Sequence, residues 1–62
     1  MKKQICTIRK DILSQNLAVP IGDEYYAGKE PLKYRWRKDV FQVFYNGKWQ
    51  YAKSIDFDFV TN

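Results

Sequence analysis

From Leu32 onward, apolar and polar side chains alternate with little interruption. Leu32-Lys33-Tyr34-Arg35-Trp36-Arg37 puts Leu, Tyr and Trp on one side and Lys and two Arg on the other. That is the period-two pattern of a half-buried strand. Lys38-Asp39 supplies a tight turn, residues 40–45 a second strand, and Asn46-Gly47 one of the strongest hairpin signals a short sequence can carry. Residues 48–53 predict a third strand. Ile55-Asp56-Phe57-Asp58-Phe59 alternates again and predicts a fourth.

The first half of the chain is less regular. Residues 3–9 read as an opening strand, and residues 11–17, with Asp11, Ile12, Leu13 and Leu17, as one short helical turn. Val19-Pro20-Ile21 is extended or at a sheet edge, because proline cannot donate to a central ladder. Gly22-Asp23 and Gly28-Lys29-Glu30-Pro31 bring turn chemistry to either side of Tyr25-Tyr26-Ala27. Together these elements predict a single all-β domain over residues 1–62. Its five short strands and one irregular excursion form a small antiparallel five-stranded sheet or an SH3-like barrel.

The register of the hairpin at Asn46-Gly47 decides which face is the core. A two-residue turn pairs Tyr45 with Lys48 and Phe44 with Trp49. Phe44, Trp49 and Tyr51 then join Lys33, Arg35 and Arg37 on one face, interleaving rings with cations as nucleic-acid binders do. A three-residue loop with a bulge at Gly47 instead pairs Phe44 with Lys48 and Val43 with Trp49. In that register Leu32, Tyr34, Trp36, Phe41, Val43, Trp49, Tyr51, Ile55, Phe57 and Phe59 share one side. Lys33, Arg35, Arg37, Gln42, Phe44, Lys48, Gln50, Ser54, Asp56 and Asp58 share the other. A one-residue slip exchanges a whole strand's faces, and consistency over all four strands favours the three-residue loop. Under either register Phe44 points outward beside the basic row.

Composition narrows the function. The chain has 62 residues, eleven Lys and Arg against seven Asp and Glu, and a net charge of +4. The positive charge is segregated: Lys33 to Lys53 holds six basic residues and one acid, 6 − 1 = +5, which leaves 4 − 5 = −1 for the rest. There is no histidine and a single cysteine, Cys6. These counts exclude His-based catalysis, a Cys/His zinc site and an intramolecular disulfide, and no metal or cofactor is expected. Gly22 to Lys29 fails as a phosphate loop, since its spacing is wrong and Glu30 stands where Ser or Thr should bind magnesium. Asp56 and Asp58 read as solvent-facing residues of the last strand. The charged start, Met1-Lys2-Lys3-Gln4, is followed by no apolar run near the ~20 residues of a membrane span. A cytoplasmic protein with a reduced Cys6 and no membrane partner is the expectation.

Two functions from different classes follow. The first is a small non-catalytic binding module that presents Lys33, Arg35 and Arg37, with Lys38, Phe44 and Lys48, to an anionic partner, foremost nucleic acid. The alternative is a protein-interaction or regulatory subunit, in its simplest form a homodimer, touching its partner through Phe44, Tyr45, Tyr25 and Tyr26. The same basic row also suits a solvated edge that resists aggregation, or neutralisation by Asp56 and Asp58 if the last strand lies alongside. An enzyme is not expected, because catalysis would have to rest on Asp, Glu, Lys or Tyr alone.

Overall fold

The computed structural model describes residues 4–60. Lys3, at the head of the predicted opening strand, and the charged start before it lie outside the described residues, as do residues 61–62. The strands are β1 (Ile5–Ile8), β2 (Val19–Ile21), β3 (Glu24–Tyr26), β4 (Leu32–Arg37), β5 (Val40–Tyr45), β6 (Lys48–Tyr51) and β7 (Phe57–Val60). A five-residue helix, α1 (Lys10–Ser14), follows β1, and a 3-10 turn (Ser54–Asp56) precedes β7. Five strands form one antiparallel sheet in the order β6-β5-β4-β1-β7, while β2 and β3 make a separate hairpin.

The bend of the large sheet lies in β4. Leu32 and Lys33 pair with β1, whereas Tyr34 to Arg37 pair with β5. The β2–β3 hairpin closes over the inner face: Ile21 bridges Ala52, and the Gly22 amide donates to the Tyr51 carbonyl at 2.7 Å. Pro20 sits in β2, in a hairpin of only two strands, where its missing N–H is tolerated. Helix α1 packs Ile12 and Leu13 against the core. Its first turn is braced by the Arg9 guanidinium, which donates to both Asp11 carboxylate oxygens (2.8 and 3.1 Å) and to the Ile55 carbonyl. The helix stops where Asn16 turns left-handed at φ 57°, a conformation asparagine tolerates better than most residues.

The buried core is Cys6, Ile8, Val19, Ile21, Phe41, Val43 and Phe57. Two of its members come from the β2–β3 hairpin, which therefore belongs to the fold and does not merely decorate it. Strands β4 and β5 coincide with the predicted 32–37 and 40–45, and Lys38-Asp39 is the turn between them, both residues left-handed (φ 51° and 66°).

Two expectations are overturned. The hairpin at Asn46-Gly47 takes the two-residue turn: Tyr45 pairs with Lys48 and Phe44 with Trp49. Both turn residues have positive φ (57° and 83°), so the turn follows the right-handed twist of the strands it joins. Trp49 and Tyr51 consequently leave the core side, and Gln50 enters it. Gln50 is tolerated there because its Nε2 donates to the Tyr45 carbonyl at 2.6 Å. Second, the predicted strand over 55–59 begins only at Phe57. Ile55 lies in the 3-10 turn and is 72% exposed, and Asp56 leaves the strand face it was expected to share with Asp58. Trp36 and Phe59 keep the core side that the alternation assigns them, yet each remains about half exposed.

Candidate nucleic-acid interface

Strand periodicity places Lys33, Arg35 and Arg37 on the outer side of β4, at spacings of about 7 Å. The register of the sheet sets their neighbours. Arg35 pairs with Gln42 and Arg37 with Val40, while Phe44 and Trp49 form a cross-strand pair on the same side. Tyr51, opposite Gln42, completes this face and is 65% exposed. Three cations and three rings thus share one side of β4, β5 and β6.

Arg35 is the pivot. Its Nε donates to Gln42 Oε1 at 2.8 Å, and its Cζ lies 4.3 Å from the centroid of the Trp49 ring. The hydrogen bond orients the guanidinium, and the indole attracts it by cation–π interaction. Phe44 meets Trp49 edge to face with centroids 5.4 Å apart, the arrangement favoured by ring quadrupoles. Phe44 itself is 40% exposed. The cluster is preorganised yet keeps much of its surface in water.

Asp58 is not a cross-strand neighbour of the basic row. Strand β1 separates β7 from β4, and Asp58 pairs with Thr7. Among the described residues the one ion pair is Arg9–Asp11, so Lys33, Arg35 and Arg37 carry no carboxylate partner there. Where β4 passes from β1 to β5, an open depression of about 340 Å³ is lined by Gln4, Ile5, Lys33, Tyr34 and Trp49.

The other expected site residues are dispersed. Lys38 is exposed in the left-handed turn at the end of β4. Lys48 pairs with Tyr45, which puts it on the opposite side of the sheet from Trp49 and Arg35. That follows directly from the two-residue turn. Of the residues considered for a protein contact, Tyr25 and Phe44 are exposed, whereas Tyr26 and Tyr45 pack against each other at 5.0 Å. The Tyr26 hydroxyl donates to the Glu30 carbonyl, and burial, followed by the charge of Glu30, pushes its phenol above the ordinary value. Among the described residues no three His, Cys, Asp or Glu side chains converge on a metal-holding position.

Trp49 and Tyr51 enter this face although the favoured register assigned them to the core; Gln42 was placed on it but given no role, and Ile5 was not assigned to it. The Asn46-Gly47 dipeptide held the missing signal, since it specifies a two-residue turn more strongly than ring count specifies a core. No helix among the described residues is long and apolar enough to cross a membrane. Comparisons with protein-family models, curated proteins and solved structures find no match to this chain.

Proposed function

We propose that this protein is a small non-catalytic module that binds single-stranded nucleic acid on the outer face of β4, β5 and β6. The observation that carries the reading is the joining of Arg35 to Trp49, with Lys33, Arg37, Phe44 and Tyr51 around them. Cations at strand spacing follow a phosphodiester backbone, and exposed rings offer stacking surfaces that accept any base. Arginine suits the role because its planar fork makes two parallel hydrogen bonds to phosphate. The strand order, with a 3-10 turn before a last strand that returns to β1, supports an SH3-like barrel as the scaffold. A buried, reduced thiol at Cys6 suits the cytoplasm as its compartment.

The test is a fluorescence titration with a short single-stranded oligonucleotide at low and raised salt. Three phosphate contacts predict a slope of log K against log salt of about −2, which Arg37→Ala makes shallower by about 0.7. Tyr51→Ala and Phe44→Ala weaken binding without changing the slope. Affinity unaltered by salt and by Arg35→Ala with Arg37→Ala would refute the reading.

A second reading rests on a different surface. Trp36, Phe59 and Ile55 are all exposed, and β7 is a sheet edge. Exposed apolar side chains of this kind suit a protein partner, in the simplest case another copy of the chain. Sedimentation equilibrium across a hundredfold concentration range tests it: a monomer throughout counts against the homodimer.

A further inference from the structure

The depression where β4 passes from β1 to β5 brings together apolar, cationic and amide groups. It is lined by Ile5, Tyr34 and Trp49, its cation is Lys33, and Gln4, also lining it, is exposed with a carboxamide that can both donate and accept. At about 340 Å³ it falls at the lower end of the range for small-ligand sites. Arg35 covers one surface of the Trp49 ring but does not line the depression. Trp49 lends indole surface to the depression while Arg35 and Phe44 also contact its ring.

We propose that this depression is a single-nucleotide subsite: one base enters against Trp49 and Ile5, and its phosphate is held by Lys33. The inference rests on the nucleic-acid reading and deepens it, because it makes one nucleotide of the strand the anchor. Arg35 and Arg37, about 7 and about 14 Å further along β4, then take successive phosphates. An apolar pocket beside one exposed cation matches a flat ring that carries an anionic group. It matches neither a bare anion nor an uncharged ring as well. The ammonium of Lys33 acts as a mobile point charge and tolerates any base, whereas Arg35 is fixed by Gln42 and Trp49.

The experiment uses the full chain carrying Trp36→Phe, so that Trp49 is its one tryptophan, with nuclear magnetic resonance of the Ile5 methyl groups and the Trp49 indole. Adenosine monophosphate, adenosine, inorganic phosphate and a short single-stranded oligonucleotide are titrated separately. The expected result is saturable perturbation of Ile5 and Trp49 by the monophosphate, with weaker effects from adenosine or phosphate alone. Lys33→Gln lowers the monophosphate affinity about fivefold, while Arg37→Gln leaves it unchanged and weakens only the oligonucleotide. Oligonucleotide binding that leaves Ile5 undisturbed, with no response to the monophosphate, overturns the subsite and leaves the wider face intact. Failure of the oligonucleotide to bind overturns both.

Discussion

Replacing Gly22 by alanine should cost more stability than replacing Gly47, and the excess should run through Gln50. Both glycines are left-handed, at φ 59° and 83°, so a side chain at either costs about 1 kcal/mol of backbone strain. Around Gly47 nothing lies within 4 Å of the added Cβ, and the strain is the whole effect. At Gly22 the new Cβ runs into Gln50 Oε1. Gln50 is 8% exposed and donates to the Tyr45 carbonyl. Displacing it breaks that bond and leaves buried polar atoms without partners, at a further cost of about 1–3 kcal/mol. The totals are about 1 kcal/mol for Gly47→Ala and about 2–4 kcal/mol for Gly22→Ala. In a domain of this size each kcal/mol moves Tm by roughly 4–8 °C. Urea unfolding of Gly22→Ala, Gln50→Ala and the double variant measures the coupling directly. The double variant should be about 1–2 kcal/mol more stable than the sum of the single losses predicts. Strict additivity would refute the reasoning, because it would mean that Gln50 does not face Gly22. The hairpin would then hold the three-residue register, and Trp49 would be turned away from Arg35.

Other consequences can be measured with the same material. Burial pushes the Cys6 thiol from its ordinary 9.0 up to about 12, so native protein at pH 8 should resist thiol reagents until it unfolds. Because the unfolded chain releases that proton near pH 9 and the folded chain keeps it, this stabilisation is complete below pH 9 and is lost as pH rises from 9 toward 12. Urea midpoints at pH 8 and pH 10.5 should therefore diverge more for the parent than for Cys6→Ala. Arg35→Lys should cost about 1 kcal/mol in urea unfolding and alter Trp49 emission, since an ammonium is less able to keep both the Gln42 bond and the cation–π contact with the indole. Asp39→Gly should stabilise the domain by about 0.5 kcal/mol, seen as a Tm rise of a few degrees. It removes a non-glycine residue from φ 66° while adding some chain entropy to the unfolded state.

Local pattern carried the elements whose information is local. The alternation over 32–37 and 40–45 became β4 and β5, Lys38-Asp39 became the turn between them, and the helical turn within 11–17 settled as Lys10–Ser14. The basic row on β4 was legible for the same reason, because the alternation within one strand fixes its two faces. Register was not legible from the distribution of rings. Sorting most of the rings to one side assumes an interior large enough to hold them, and this chain has too little. Of eleven rings only Phe41 and Phe57 are buried. The compensation for Gln50 was equally invisible, since its site is completed by Gly22 on a hairpin 28 positions earlier in the chain. Residues 55–57 failed for a simpler reason: Ser54–Asp56 closes into a 3-10 turn whose backbone bond runs from the Asp56 amide to the Lys53 carbonyl. Alternation cannot tell such a turn from the start of a strand.

We propose that the cations and rings on the outer side of β4, β5 and β6 act as one binding face. Amide and side-chain resonances of nitrogen- and carbon-labelled protein, followed during titration with a short single-stranded oligonucleotide at low salt, test it most directly. Lys33, Arg35, Arg37, Phe44, Trp49 and Tyr51 should shift together. Tyr26, Tyr45 and Lys48, on the other side of the sheet, should stay in place, and the shifts should reverse as salt is raised. Shifts centred on Lys48, Tyr45 and Trp36, or none at all, would contradict it.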